Sequence, residues 1–355
     1  MRVASLVVRG FRNLADATLE LPPDGMVLLG SNGHGKTNLL EALAYPVLFR
    51  SLRGARDRDV ARFGGPGFHV GVQRRDGPLV TATWEAATGR KRVTVAGEER
   101  PRITDALGAW LAVTFLPTDL GLVQAGASER RRWLDRMLSL GATSYLEGLL
   151  RYRAAVAQRN AALRRNDPRT AAAFDEPMAR AGAQVVSGRL AWLLDAEGAW
   201  RRELARLGEP LEVTMRYRGD IALADVASWP ERLAASRDRD LHRGQTHVGP
   251  HRDDLVLGLA GRLLREFGST GQQRTAAIGL RLLEHQTLSE RRATRPALLV
   301  DDVFAELDAS RQDHLAVRLA ESGAQLVVTA PRSEDVPDRL EAARWHVSDG
   351  GIHPE

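Results

Sequence analysis

The chain has 355 residues, 43% hydrophobic and 27% charged, an ordinary globular balance whose length suggests about two domains. It has no cysteine, which excludes disulfides, thiolate metal sites and cysteine nucleophiles, and its 50 basic against 45 acidic residues leave a net +5 that is compatible with nucleic-acid binding but too small to demand it. Residues Met1 to Phe11 lack the apolar stretch of a secretory signal, and no run approaches the roughly 20 apolar residues of a membrane helix, so a soluble, cytoplasmic protein without a membrane partner is expected.

In chain order, Val3–Val8 and Thr18–Leu21 read as short strands, broken by turn chemistry at Pro22-Pro23-Asp24-Gly25. Met26–Leu29 reads as a buried strand, and from Lys36 a helix carries Leu39, Leu40, Leu43, Ala44, Val47 and Leu48 on one face. Residues 68–96 alternate as an antiparallel meander. From Ile103 to about Leu241 the pattern is helical, interrupted at Asn166-Asp167-Pro168 and by a strand-like segment over Glu212–Tyr217. Strands return at Leu255–Leu259, Leu298–Asp302, Gln325–Thr329 and Arg344–Val347, separated by helices over Gln272–Leu288 and Arg311–Glu321. The order predicts an α/β domain split by a helical insertion, with boundaries at 1–103, 104–245 and 246–355.

Gly30-Ser31-Asn32-Gly33-His34-Gly35-Lys36-Thr37 fits the P-loop pattern, in which backbone N–H groups and a helix N-terminus cradle phosphates. Only two of the 50 basic residues are lysines, and one of them, Lys36, stands where a compact ammonium is needed at the β- and γ-phosphates. Thr37 would place its hydroxyl on Mg²⁺, so ATP and Mg²⁺ are the expected ligands. Ala297–Asp302 is an apolar strand ending in two carboxylates, the Walker B arrangement: Asp301 would hold the metal through its water shell, and Asp302 would act as general base.

Three further elements resemble parts of ABC-type ATPases. Ser269-Thr270-Gly271-Gln272-Gln273 opens a helix as the signature does, with Ser269, Gly271 and Gln272 capping the γ-phosphate of a nucleotide held by another subunit. Glu306-Leu307-Asp308 resembles the D-loop, with Asp308 open to the plainer reading of a helix N-cap. Thr329 resembles the catalytic switch residue, or pairs locally.

The segment Asn32–Leu43, including Asn38 at the nucleotide, resembles the opening P-loop of the RecF family. Phe49–Arg53, Phe115–Val123, Ser128–Asp135, Thr246–Leu255 and Ser269–Arg274 are similar to that family's later blocks, so the likeness spans nearly the whole chain. His34 stands where the family has Gln and Trp133 where it has Phe; no Q-loop glutamine can be placed. The resemblance implies an ABC-type head whose lobe I holds the P-loop and whose helical lobe II holds the signature. It further implies an ATP-dependent homodimer, a weak DNA-stimulated ATPase used as a switch, binding to gapped or junction DNA, and work with RecO and RecR to load RecA.

Arginines cluster at positions 50–58, 130–132, 151–165 and 291–295, each either a solvated face or a phosphate contact. Arg151, Arg159, Arg164 and Arg165 fall roughly on one helical stripe and are the candidate DNA contacts, binding by charge and shape. Two other classes compete. An ABC transporter ATPase leaves the arginine-rich blocks and Gly249-Pro250-His251-Arg252 unexplained. An SMC-like structural ATPase needs an arm, whereas two antiparallel helices between 104 and 245 reach only about 60–90 Å.

Overall fold

The computed structural model describes residues 1–355, which form two compact units. The first contains residues 1–119, 206–208 and 284–355; the second contains 120–205 and 209–283.

In the first unit, a six-stranded sheet runs in the order Gly351–Pro354, Ala343–Ser348, Gly25–Leu29, Leu326–Ala330, Ala297–Asp301, Ala112–Phe115. All neighbours are parallel except the terminal hairpin, and the Gly25–Leu29, Ala297–Asp301 and Leu326–Ala330 strands are buried throughout. Strands hidden on both faces read as continuous apolar runs, which is why these three were legible. A second, wholly antiparallel sheet is ordered Ala17–Glu20, Val3–Arg9, Gly67–Arg74, Leu79–Glu85, Lys91–Val95, Glu98–Glu99, and contains the expected meander.

Helix Lys36–Leu48 packs against strands of both sheets and is buried at ten of its 13 positions, rather than on one face as its apolar spacing predicted. Tyr45, outside that apolar set, stacks edge-to-face on Phe11 and Phe68 at 5.9 and 5.1 Å. A helix enclosed between two layers needs no polar stripe.

The second unit is built mainly from helices Ala127–Gly141, Thr143–Arg164, Asp175–Arg206 up to residue 205 and Trp229–Arg243, the first part of Thr270–Arg292, and an antiparallel sheet ordered Arg262–Leu263, Asp254–Leu259, Val213–Arg218. These boundaries differ from the expected 1–103, 104–245 and 246–355. Strand Ala112–Phe115, which fell inside the stretch read as helical, pairs with Ala297–Asp301 and carries the first unit through to Asp119. Its four residues are all buried, too short a run to show a period. At the other end, Asp254–Leu259 pairs with Val213–Arg218, so that strand and the Ser269 segment belong to the second unit.

The segment Thr246–Asp254 is the second unit's clamp. Arg189, 2% exposed, donates to Asp135, the Pro250 carbonyl and Asp253, while Arg130 meets Asp254 bidentately at 2.9 and 3.1 Å. Gly249 has φ 123°, and a side chain there would collide with the Tyr152 hydroxyl.

Candidate nucleotide site

The strand Gly25–Leu29 ends in Gly30, whose φ of 147° turns the chain and whose missing side chain leaves room for the Val347 carbonyl. Ser31, Asn32 and Gly33 are exposed, and Gly35, at φ 117°, starts helix Lys36–Leu48 with no side-chain cap. Uncapped first-turn N–H groups following an exposed glycine loop form an anion cradle. Lys36 is buried, its ammonium donating to the carbonyls of Gly30 at 2.5 Å and Ser31 at 3.2 Å.

Two side chains brace this loop in ways the sequence did not suggest. Asn13 donates to the Gly33 carbonyl at 3.0 Å and accepts from Asn38 at 2.6 Å, so Asn38 holds the loop's support. His34, read as contributing only backbone, accepts the Asp349 N–H on Nδ1 at 3.1 Å, while its carbonyl accepts from the Gly350 N–H at 3.0 Å. His34 thus ties the loop to the C-terminal hairpin through both its ring and its carbonyl.

Behind the loop, Glu41 is 1% exposed and accepts from Arg12 bidentately at 3.0 and 3.1 Å, from Ser51 and from Arg53 at 2.5 Å. Burial pushes its carboxyl up, but these donors more than offset that and leave it below the usual range. Ser51 and Arg53 of the Phe49–Arg53 block are therefore anchors of the P-loop helix.

Parallel register sets Asp301 beside Thr329 at the carboxyl ends of adjacent strands, where open α/β sheets bind ligands. Thr37 donates to Asp301 Oδ1 at 2.9 Å and Thr329 to the same oxygen at 2.8 Å. Burial pushes the Asp301 carboxyl up, with the charge of Asp302 adding to it, while the two threonine hydroxyls pull it down. Asp302 adopts φ 51° and its N–H donates to Thr329 Oγ1 at 3.0 Å. A hydroxyl has one proton. With that proton on Asp301, the Asp302 carboxylate, 3.3 Å from Thr329, keeps its acceptor capacity.

Thr329 is 1% exposed, and both faces of its hydroxyl are engaged by the aspartates. Thr329 pairs locally, bonding both Asp301 and Asp302. Asp308 likewise caps helix Ala309–Glu321, accepting the Arg311 N–H at 3.0 Å. Arg311, through that N–H and its guanidinium, holds the Asp308 carboxyl below the usual range.

In the second unit, Ser269 Oγ accepts the Gln272 N–H at 3.3 Å and Gln272 Oε1 accepts the Ser269 N–H at 2.9 Å, a reciprocal cap on Thr270–Arg292. Ser269 is exposed and still has its own proton to donate. Gly271 is half-buried, its carbonyl accepting from Thr275 at 2.9 Å. Two neighbours escaped the sequence reading. Gln124, the first glutamine after strand Ala112–Phe115, donates to Gln273 at 2.7 Å, and Glu209, 5% exposed, lies 3.5 Å from the Gln272 amide. Both matter only through residues distant in sequence, so no local pattern marks them.

The arginine stripe does not survive folding. Arg159 is 3% exposed and donates to Asp175 at 2.8 Å, Asp240 at 2.7 Å and Thr246 at 2.9 Å, which removes it from any surface. Arg151, Arg164 and Arg165 are exposed, on other faces of the helix and at its end. Eight residues of helix turn through about 80° between Arg151 and Arg159, enough to separate surface from core. The Arg130–Arg132 cluster is likewise tied down, by Asp254, the Asp253 carbonyl and Glu129. No helix is long and apolar enough to cross a membrane.

No family model matches the chain. It is 35% identical over 343 residues to "DNA replication and repair protein RecF" of Myxococcus xanthus (strain DK1622), covering 93% of this chain and 90% of that one. It is 33% identical over 391 aligned positions to the protein of the same name from Herpetosiphon aurantiacus, covering all of both. Among solved structures it is similar to the recombination mediator protein RecF–ATP of the RecFOR pathway, with a TM-score of 0.89, 28% identity and coverage of 100% of this chain and 97% of that one. An Smc head domain with an extended coiled coil, bound to a ScpA domain derived from Pyrococcus furiosus, shares the fold at a TM-score of 0.59 and 14% identity. The fold is thus the α/β ABC-type ATPase head with a helical second lobe, and the chain belongs to the RecF family of DNA replication and repair proteins.

Proposed function

We propose that this chain is an ATP-driven DNA-binding switch of recombinational repair and replication: it closes as a homodimer on ATP, binds gapped or junction DNA, hydrolyses ATP slowly, and acts with RecO and RecR in loading RecA. The observation that carries this reading is the convergence of Lys36, Thr37, Asp301, Asp302 and Thr329 at the ends of three adjacent strands. Its support beyond geometry is the likeness to a RecF solved with ATP.

The residues fit the expected ligands. Lys36 and the loop's N–H groups would hold the phosphates. Thr37 Oγ1 and Asp301 Oδ1 are hard oxygen donors already 2.9 Å apart, a pair suited to Mg²⁺ directly or through its water. When bound, Mg²⁺ supplies charge neutralisation at the phosphate oxygens. Asp302 would orient a water and take its proton onto its carboxylate, while Thr329 keeps both aspartates in place. Ser269 would donate its hydroxyl to the γ-phosphate of a nucleotide in a second copy, with Gly271 and Gln272 shaping the turn.

The test is solution mass together with a gel shift on gapped DNA, each with ATP, with ADP and with neither. A dimer and a shifted band that both require ATP are expected, and both should vanish in Lys36→Ala. A mass and a DNA affinity indifferent to nucleotide would overturn the switch.

A further inference from the structure

The second unit carries charge that the nucleotide chemistry does not use. Helices Thr143–Arg164 and Trp229–Arg243 advance together, Asp240 meeting Arg159 and Gly244 backing onto Arg164. Both therefore end at one place, where Leu241 packs over buried Ala162, Leu163 and Ala171. Ala171 belongs to the short helix Pro168–Ala172, which Asp167 caps through the Thr170 N–H at 2.9 Å. One small apolar plug thus fixes three chain segments against each other.

Around that plug stand Arg164, Arg165, Arg169 and Arg243, all exposed and none in an ion pair, with Asp167 offsetting part of the charge of Arg169. Exposed arginines elsewhere in the same unit are mixed: Arg180 sits on Glu176, Arg201 on Glu197 and Arg232 on Asp220, whereas Arg202, Arg216, Arg237 and Arg239 have no ion pair and do not converge from three segments on one plug. The carbonyl ends of two helices favour a cation each. Four guanidinium groups on three segments exceed that need.

We propose that this tip is a contact for the phosphate backbone of DNA. Guanidinium forks match phosphate oxygens bidentately, and a patch of fixed charges without aromatic or amide partners reads backbone rather than bases. The tip replaces the expected stripe: Arg151 and Arg159 drop out, Arg169 and Arg243 enter. The inference rests on the DNA-binding reading above and adds where the DNA lies.

The test measures affinity for a fluorescent gapped duplex by anisotropy, with ATP present, between about 50 and 200 mM salt. It compares the wild type with two variants of equal net charge. The tip variant carries Arg164→Ser, Arg165→Ser, Arg169→Ser and Arg243→Ser; the control carries Arg90→Ser, Arg92→Ser, Arg180→Ser and Arg201→Ser. Each lost phosphate contact lowers the salt slope by about 0.9, so the tip variant should lose about 3 to 4 of slope, a salt sensitivity roughly 100-fold smaller over that range. The control should keep the wild-type slope, and the tip variant should keep wild-type melting and ATP affinity. A wild-type slope in the tip variant overturns the tip while the DNA reading stands. Equal flattening in both variants also overturns it, reducing the effect to net charge. A wild type that binds no DNA at the lowest salt overturns the reading beneath it.

Discussion

Thr37 and Asp301 lie 264 residues apart in sequence and meet at 2.9 Å, with Thr329 bonding the same carboxylate oxygen from the next strand at 2.8 Å. Helix, strand end and neighbouring strand thus share one acceptor atom. If that pair receives Mg²⁺, Thr37→Ala should weaken ATP binding by about tenfold when Mg²⁺ is present and little when it is chelated, a loss of the size of one charge-assisted contact. Thr37→Ser should restore the difference. A titration in which Thr37→Ala responds to Mg²⁺ as wild type does would refute the pairing.

Asp302 keeps an uncommitted carboxylate beside a committed one. Asp302→Asn is therefore expected to bind ATP normally and to lower turnover by about 10²–10⁴, the usual contribution of a general base. Single-turnover kinetics check this, and a wild-type rate would move the base to another group.

The signature serine and the P-loop lysine are proposed to complete each other's site from different copies. Lys36→Ala should fail to hold nucleotide, and Ser269→Arg should hold it but fail to close. Mixed at equal amounts, half the dimers are heterodimers with one intact site of two, so turnover should recover to about a quarter of wild type if sites are independent. Heterodimers demonstrated by mass yet inactive would contradict independent shared sites.

Arg159 is the centre of a buried cluster, and its removal strands Asp240, which is fully buried, without its cation. Arg159→Ala should cost about 3–5 kcal/mol of stability, read as a lowered denaturant midpoint. The salt slope of DNA binding should stay at the wild-type value, since the guanidinium never reaches the surface. A stable variant with a flattened slope would return Arg159 to the DNA contacts.

Burial depresses His251 and His285 to about 4, where their Nε2 atoms face the carbonyls of Thr246 and Pro296. Both are neutral in the folded chain, whereas in the unfolded chain they take up protons near 6.5. The unfolded state therefore binds more protons between about pH 6.5 and 4, and stability should fall as pH drops through that window and level off below it. The loss is up to about 3 kcal/mol per histidine. Melting curves of His285→Gln should show a shallower fall than wild type; an equal slope would remove that histidine from the account.

Several parts of this protein were readable from residues alone, for a physical reason. A phosphate cradle is built from consecutive backbone groups and one helix end, so Gly30 to Thr37 declares itself within eight positions. Parallel strands buried on both faces are apolar without interruption, which exposed Gly25–Leu29, Ala297–Asp301 and Leu326–Ala330. Cap chemistry is local as well, and Asp308 caps its helix as its place before Ala309 suggests.

What only the tertiary structure decided is which long side chain meets which partner. Arginine has the same letter whether it lies on Asp240 in the interior or points outward at the tip, and a helical wheel cannot tell a covered face from an open one. Arg159 thus left the surface, Thr329 became the tie between two aspartates, and His34 acquired a partner at Asp349. The domain limits shifted for the same cause: sheet membership is set by hydrogen bonds between strands far apart in sequence, and Ala112–Phe115 joined its sheet through Ala297–Asp301, with Ala112 opposite Ala297. Patterns of fixed period reveal what a segment does alone, while pairing energies are set only when distant segments are brought together.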